Sequence, residues 1–421
     1  GQQTVDAEGG ILHAQSSLER TTSGDLELAG FSEVNLDGHV TVSDGALDLP
    51  DGADAAGDLV TSDSLTLDSN VTLDGAGAQR IATDGSLTVN ALNKTQGTAV
   101  TLAGDGGIDI NGDVALGNVA LTIEDALTAD GNITLTDGTL AFQDNVEFDG
   151  ALPQVADAGL GSLVADGTVE KTGAGDLTLA GNTLVDLNDD VDVDNGRLLL
   201  PDGANAQGDL TASGDLVLDS TVVLDGIGEQ IVDSSVGGLT VNAVVKDDGD
   251  LTLGGATFTD INASINLAQG SLTITKAFTA AGDLVASDDV NLDAAGTFDG
   301  DGMDQRISAE NGTLTGQETL TKGVAGTLEL AGQTGIDLGA SAGASDNLLI
   351  SDDFNVEGDL VALNNVTLSG AGTFDGSVDQ GVSAVGGTLI ANADLTKTED
   401  GNLSLAGGTL VDLNGNATVD K

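Results

Sequence analysis

A recurrence with a period of about 75 residues constrains the fold of this chain more than any other feature. The motif LxLAG, or a close variant of it, ends at Gly30, Gly104, Gly181, Gly255, Gly332 and Gly407. A second motif, Leu or Phe followed by Asp-Gly, ends at Gly75, Gly150, Gly226, Gly300 and Gly376. Because two independent motifs keep the same phase, the fold must be built from one supersecondary unit used repeatedly.

A single glutamine per repeat is the third marker in phase with these motifs. It occurs at Gln3, Gln79, Gln154, Gln230, Gln305 and Gln380. The markers place five full sequence repeats at 19–92, 93–169, 170–245, 246–320 and 321–395. Residues 1–18 match the last part of a repeat and 396–421 match the first part, so we expect a partial repeat at each end.

Within one repeat, the sequence alternates between apolar and polar residues in short stretches. In DVDVD at 190–194, Val191 and Val193 would point into a core, with the aspartates outward. Stretches of this kind, closed by Gly, Asp or Asn, are typical of strands with one buried face. About nine short strands in each repeat leave no room for helices, so the sequence predicts an all-β protein.

Two architectures accommodate short strands in tandem repeats: a β-solenoid and a string of immunoglobulin-like sandwiches. A sandwich usually contains bulky aromatic residues in its core, whereas this chain has 2% aromatic residues and neither Trp nor Tyr. A solenoid needs stacked aliphatic residues and sharp corners, which Leu, Val, Asp and the 62 glycines supply. We therefore favour a parallel β-helix, with about three coils of about 25 residues in each repeat.

The stretch KTGAGDLTLAGN at 171–182 resembles the short strand repeat of autotransporter passenger domains. The wider chain is similar in texture to filamentous-haemagglutinin-type surface adhesins. The resemblance is good over 171–182 and recurs more loosely in the other repeats. It implies a right-handed parallel β-helix that is exported and displayed on a bacterial surface.

Charge and composition exclude several classes of function. The formal net charge is −58, which makes nucleic acid an implausible partner because phosphate binding needs a basic surface. The absence of cysteine excludes disulfides, thiolate metal sites and cysteine nucleophiles. No apolar run is long enough for a transmembrane helix. His13 and His39 do not recur in other repeats, and the sequence predicts no enzyme.

Asp190, Asp192 and Asp194 are the candidate metal ligands. They do not match an EF-hand, because Asn195 and Pro201 stand at loop positions that need Gly and Glu. A solvated acidic face is one interpretation. Sharing of Ca²⁺ between carboxylates of adjacent coils is the other, and Ca²⁺ is the only cofactor that the sequence suggests.

One basic residue occupies the same position in every repeat. It is Arg20, Lys94, Lys171, Lys246, Lys322 and Lys397, which are six of the 11 basic residues of the chain. In one interpretation, each side chain lies along a coil and bridges nearby carboxylates. In the other, the six form a sparse row down one side of a rod and fix lateral register against a neighbouring molecule.

The recurrent glutamine is expected at a structural corner, where its amide would satisfy backbone groups that lack a partner. Taken together, the sequence predicts a non-catalytic extracellular structural or adhesive protein on the cell surface. We expect it to self-associate, with head-to-tail stacking into a filament as one route, or to contact cell surfaces or glycans. A β-helix that binds or cleaves polysaccharide is the alternative.

Overall fold

All regular secondary structure in the computed structural model is β-strand, and the described residues are 1–420. The predicted all-β parallel solenoid is confirmed. No helix capable of crossing a membrane occurs in this range. The chain divides into two compact units, the first comprising Gly1–Ser213 and the second beginning at Gly214.

The first unit contains strands β1 to β29. In chain order these are Gln3–Ala7, Ile11–Ala14, Leu18–Arg20, Leu26–Gly30, Glu33–Leu36, Val40–Val42, Leu47–Leu49, Ala53–Ala55, Leu59–Thr61, Leu65–Leu73, Gln79–Thr83, Leu87–Lys94, Ala99–Gly104, Ile108–Ile110, Val114–Asn118, Ala120–Ile123, Leu127–Ala129, Ile133–Asp137, Thr139–Phe142, Val146–Phe148, Gln154–Asp157, Ser162–Ala165, Val169–Lys171, Leu177–Ala180, Leu184–Leu187, Val191–Val193, Leu198–Leu200, Ala204–Ala206 and Leu210–Ala212.

The second unit contains strands β30 to β57. In chain order these are Leu216–Leu224, Gln230–Ser234, Leu239–Lys246, Leu251–Gly255, Thr259–Ile261, Ile265–Leu267, Leu272–Ile274, Phe278–Ala280, Leu284–Ala286, Val290–Leu292, Gly296–Phe298, Gln305–Ala309, Thr313–Gly316, Leu320–Lys322, Thr327–Gly332, Gly335–Leu338, Ala342–Ala344, Asn347–Ile350, Phe354–Val356, Leu360–Ala362, Val366–Leu368, Gly372–Phe374, Gln380–Ala384, Thr388–Ala391, Leu395–Lys397, Leu403–Gly407, Leu410–Leu413 and Ala417–Val419.

Each unit is a solenoid with three sides, because a strand typically pairs in parallel with the third strand after it. For example, β13 pairs with β16, and β16 pairs with β19. Some long strands span two sides: β10 pairs with both β7 and β8, and β12 pairs with both β14 and β15. Parallel pairing between successive coils excludes immunoglobulin-like sandwiches, whose sheets are antiparallel.

One coil takes about 21 residues, as in the pairing of Leu26 with Leu47. The predicted coil was longer than this, so the prediction of three such coils to a repeat is wrong. The period of the sequence repeat is accordingly not the length of a structural turn. The right-handed winding stays a prediction.

The core consists of stacked aliphatic side chains, because alternate residues of each short strand point inward. Val191 and Val193 are buried and Asp192 between them is exposed, as the alternation predicts. Nearly every three-residue strand has this pattern. Six of the eight phenylalanines join the same core as edge-to-face pairs, including Phe278 with Phe298 and Phe354 with Phe374, whereas Phe31 and Phe258 are exposed.

Candidate functional site

The recurrent basic residues are inside the solenoid. Lys94, Lys171, Lys246, Lys322 and Lys397 have no exposed surface, and Arg20 is 6% exposed. Both interpretations of these residues assumed exposed side chains, so their burial corrects that assumption. A contact with a neighbouring molecule would have no accessible ammonium group to use at these five lysines.

Each buried lysine donates to the glycine that ends the Asp-Gly motif of the preceding repeat, and three of the five also donate to that repeat's glutamine. The Lys322 Nζ donates to the carbonyl oxygen of Gly300 at 2.8 Å and to Oε1 of Gln305 at 2.6 Å. Gly300 ends the Phe-Asp-Gly motif, and Gln305 is the recurrent glutamine. We call the Lys, Gln and Gly that converge in this way a lysine cluster. The recurrent lysine, the recurrent glutamine and the Asp-Gly motif are therefore one feature in space.

The glutamine joins the cluster to the preceding coil. Nε2 of Gln305 donates to the carbonyl oxygens of Ala280 and Gly282, at 2.8 and 3.2 Å. Gln79, Gln154 and Gln380 make equivalent pairs of bonds from buried positions. Ala280 O also accepts the backbone N–H of Asp299, so the amide adds a second hydrogen bond to this carbonyl and reaches a further one at Gly282.

The clusters occur in two hydrogen-bonding arrangements. At Lys94, Lys246 and Lys322, Nζ donates to the glutamine Oε1, and we call these clusters closed. At Lys171, Nζ donates to the carbonyl oxygens of Gly150 at 2.5 Å and Ala174 at 3.3 Å. Oε1 of Gln154 then has no partner within the described residues. Lys397 and Gln380 show the same open arrangement.

The loop that follows each lysine explains the glycines of KTGAGDLTLAGN. Gly175 has a φ of 101°, a conformation that favours glycine. A Cβ at this position would lie 2.7 Å from the backbone nitrogen of Pro153 in the preceding coil. Gly97 occupies the corresponding loop after Lys94 and has a φ of 121°. The motif is therefore a corner that stacks closely on the loop below it.

The basic residues of the first unit occupy three different sides of the solenoid. Successive strand pairings place Arg20 in the same column as Gly104, four coils later in the chain. They likewise place Lys171 in the same column as Val89, four coils earlier. Val89 and Lys94 lie on the two sides covered by β12, and Gly104 lies on the third side, in β13. The predicted row of basic residues down one side is therefore wrong.

Strand counting gives the reason. From Lys94 to Lys171 the chain adds β13 to β23, which are eleven strands, and from Lys322 to Lys397 it adds β44 to β54, which are also eleven. With three sides in a coil, twelve strands would return the lysine to its own side. One strand fewer moves it to a different side, so equivalent residues of successive sequence repeats cannot stack.

Burial lowers the pKa values of Lys94, Lys171 and Lys322, because the charged ammonium loses its hydration. Nearby aspartates partly offset this effect, as Asp74 does for Lys94 and Asp304 does for Lys322. The partners that directly accept these protons are neutral carbonyl oxygens. The lysines therefore hold buried corners together instead of forming ion pairs.

Arg20 belongs to the first coils and differs from the lysines. Its Nε donates to Gly24 O at 2.6 Å and its Nη2 donates to Gly1 O at 2.7 Å. Nη1 has no partner among the described residues. Gln3, the glutamine of the preceding partial repeat, is exposed.

Alternation of the strand residues could have predicted the buried lysines. In Val169–Lys171, Val169 points inward and Glu170 points outward, which places Lys171 inward. Neither sequence interpretation used this parity, and an unpaired cation in an apolar core is costly. The carbonyl groups of the corner loops, which the sequence does not reveal, reduce that cost.

Because five lysines are buried, the outer surface carries few cations. Arg80 and Arg197 pair with Glu124 at 2.7 Å and Asp176 at 2.6 Å, and Arg306 lies 3.7 Å from Glu329. Lys276 is the one exposed lysine among residues 1–420. The surface is therefore more acidic, relative to its cations, than the composition suggests.

One outward column of side chains runs through each unit. In the first unit, six of the eleven members are acidic: Thr4, Glu27, Asp48, Thr66, Thr88, Asp109, Thr128, Glu147, Glu170, Asp192 and Thr211. In the second unit, one of the nine members is acidic: Thr252, Thr273, Asn291, Thr315, Asp337, Asn355, Thr373, Thr396 and Thr418. We call these the acidic column and the hydroxyl column.

The acidic column borders a shallow groove of about 460 Å³. Thr88, Asp109, Thr128, Glu147 and Glu170 line it. Burial and the neighbouring Asp68 and Glu27 raise the pKa of Asp48 in the same column. At Asp48, burial and the charge of these neighbours thus oppose ionisation of the carboxyl group.

The candidate calcium ligands are exposed. Asp190 and Asp194 flank β26 and Asp192 is its middle residue. Asp192 Oδ1 accepts a hydrogen bond from Thr211 Oγ1 at 2.6 Å, and Asp190 Oδ1 accepts one from the backbone of Asp209. Residues 1–420 contain no group of three His, Cys, Asp or Glu side chains placed to hold a metal. Ca²⁺ binding at these three aspartates stays a prediction.

The two histidines lie near the start of the first unit. His13 Nε2 is 2.9 Å from Asp37 Oδ2, and His39 Nδ1 is 3.2 Å from Asp58 Oδ2. Both pairs are solvent-exposed, and no serine hydroxyl is hydrogen-bonded to either ring in the described part of the chain. The geometry is that of surface pairs.

Comparison with protein-family models, curated proteins and solved structures finds no match to this chain. The resemblance to autotransporter passenger domains and haemagglutinin-type adhesins therefore stays a prediction, which depends on the residues of 171–182 and their looser copies.

Proposed function

We propose that this chain is a non-catalytic extracellular protein with a structural or adhesive role on the cell surface. The distribution of charge supports the proposal most directly, because five lysines are buried inside the solenoid while carboxylates lie on the outside. A net charge near −58 is strongly self-repulsive in dilute solution. At a salt concentration of about 1 M the Debye length falls to about 3 Å, and this repulsion is largely screened. A saline or cation-rich exterior suits such a surface.

The backbone arrangement is also suited to a passive scaffold. Every coil pairs its strands with the coil before and after it within a unit, so each added coil brings its own hydrogen bonds and its own share of the core. Such a fold presents extended faces without needing large aromatic residues. Self-association through such faces, including the proposed filament, belongs to the same hypothesis.

Surface display can be tested on intact cells of the source organism with an antibody raised against the chain. Immunogold labelling should decorate the outside of unpermeabilised cells, and external protease should remove the signal. Labelling that appears only after permeabilisation would contradict an extracellular location. Negative-stain images of the purified protein, with and without millimolar Ca²⁺, would show whether it forms filaments.

The alternative is a β-helix that binds or cleaves polysaccharide. The hydroxyl column favours binding, because its threonine and asparagine side chains can donate hydrogen bonds to sugar hydroxyls and accept hydrogen bonds from them. Cleavage would release new reducing ends from a polysaccharide substrate. We expect no such release, and a steady release by purified protein would overturn the non-catalytic proposal.

A further inference from the structure

We propose that the hydroxyl column of the second unit binds a neutral, polyhydroxylated polysaccharide lying along the solenoid axis. This inference rests on the proposed function and names the partner of its adhesive face. It is distinct from surface display, which the immunogold experiment tests independently.

The column supplies hydrogen-bonding groups that are not used inside the protein. The side chains of Thr273, Asn291, Thr315, Thr373 and Thr396 make no hydrogen bond within residues 1–420. They are partly exposed, so they are held by the strands but open to solvent. A threonine hydroxyl can both donate and accept, and so can an asparagine amide. These are the groups that sugar hydroxyls need.

The groups are regularly spaced because each comes from one coil. Consecutive members are direct partners in parallel register, such as Thr373 with Thr396. Paired strands lie about 4.8 Å apart, close to the length of one sugar residue in an extended β-linked chain. A linear polysaccharide parallel to the axis would therefore meet one polar group at nearly every residue.

Repetition compensates for weak individual contacts. The chain has no Trp or Tyr to stack on a sugar ring, so each contact is limited to hydrogen bonds, some through water. A single hydrogen bond contributes little to the net free energy of binding, because it replaces hydrogen bonds to water. Several such bonds to one polymer act together, because the first holds the next sugar near its partner.

Charge selects the type of polysaccharide. Among the nine members of the hydroxyl column only Asp337 is acidic, and the rest of the molecule carries a large excess of carboxylates. An anionic polymer such as alginate would be repelled by the surrounding charge. A neutral polymer avoids that repulsion.

The two columns provide a matched experiment. The variant T273V/T315V/T373V removes three hydroxyls from the hydroxyl column, and T66V/T88V/T128V removes three from the acidic column. All six threonines are partly exposed at the middle of a side, and Val keeps the β-branched shape that strands favour. Circular dichroism and equal mobility in a gel without polymer would confirm that both variants fold.

Affinity electrophoresis suits this acidic protein. Native gels would contain soluble mixed-linkage β-glucan, xyloglucan, galactomannan or dextran, with alginate as the anionic polymer. We expect retardation in at least one neutral polymer, and the variant T273V/T315V/T373V should raise the apparent Kd by about tenfold or more. The variant T66V/T88V/T128V should match the wild type.

Three results would overturn the inference. They are no retardation in any neutral polymer, retardation in alginate alone, and equal weakening by the two variants. None of them bears on whether the protein is displayed at the cell surface.

Discussion

The closed and open lysine clusters place the same three residue types in different hydrogen-bonding arrangements. In the closed Lys322 cluster, Nζ has two acceptors, and the glutamine uses both ends of its amide. In the open Lys171 cluster, Nζ turns to the loop carbonyl of Ala174, and Gln154 Oε1 is left buried without a partner among the described residues. In both arrangements the lysine donates to a glycine carbonyl at the corner, whereas its bond to the glutamine is present only in the closed one. The cluster can therefore form without the bond between lysine and glutamine.

The largest effect should follow removal of the lysine itself. Lys322→Ala and Lys171→Ala should each lower the free energy of unfolding by about 3–5 kcal/mol, because a long buried side chain and two donors to carbonyl oxygens are lost. Hydrogen exchange of the peptides around each cluster, together with chemical denaturation, would measure it. The exposed Lys276→Ala is the matched control and should change stability by less than about 0.5 kcal/mol. A cluster variant as mild as this control would contradict the structural role.

Removal of the glutamine should separate the two arrangements. Gln305→Leu and Gln154→Leu both lose the two bonds from Nε2, but only Gln305→Leu also loses an acceptor of the ammonium group. We expect Gln305→Leu to be more destabilising by about 1.5–3 kcal/mol, the range for hydrogen bonds to charged groups. The measurement is the difference in denaturation midpoint between the two variants. Equal destabilisation would mean that open and closed clusters are energetically the same.

Alkaline pH should stabilise the clusters. Below the lowered pKa values of Lys94, Lys171 and Lys322, folded and unfolded chains are both protonated, and the cost of burying the charge is fully present. As pH rises from there towards the ordinary lysine value of about 10.4, the folded state releases its protons first, so stability rises. Denaturation across this window should show a steeper rise for wild type than for Lys322→Met. Lys276→Met, at the exposed lysine, should keep the wild-type slope.

The smallest effect is expected at the surface, where cations do pair with carboxylates. Arg80 and Glu124 are bidentate at 2.7–2.8 Å, and their hydrogen bond lowers the pKa of Glu124. Because both side chains are partly exposed, Arg80→Ala should cost no more than about 1 kcal/mol, and high salt should diminish the difference. Melting in 0.1 M and 1 M NaCl would measure it. A loss as large as that of a buried lysine would remove the contrast between surface and core cations.

The acidic and hydroxyl columns give a second contrast with a functional meaning. Both consist of one outward residue per coil, but the first unit places six carboxylates in its column and the second unit places one. The sequence interpretation did not find these columns, because the number of residues between successive members varies along the sequence. Coil length varies, and only the strand pairing shows which residues share a face.

Much of the fold could be predicted from local pattern. The alternation in DVDVD set the inward direction of Val191 and Val193, and the near absence of aromatic residues favoured a thin aliphatic core. The coil length could not be predicted in the same way. The long sequence repeat suggested three equal coils, whereas eleven strands on three sides do not close after a whole number of coils.

By itself, the sequence determined the all-β class and the recurrence of Lys, Gln and Gly, and it favoured a parallel solenoid over immunoglobulin-like sandwiches, because strand alternation and composition act locally. Only the tertiary structure decided that these three markers meet. In the Lys322 cluster the lysine is 17 residues from Gln305 and 22 residues from Gly300, and it becomes their neighbour because one coil returns the chain to the same corner. The tertiary structure also decided which acceptors make a buried ammonium tolerable, because strand alternation indicates only that the lysine points inward. These acceptors are a glycine carbonyl together with either the glutamine Oε1 or a loop carbonyl.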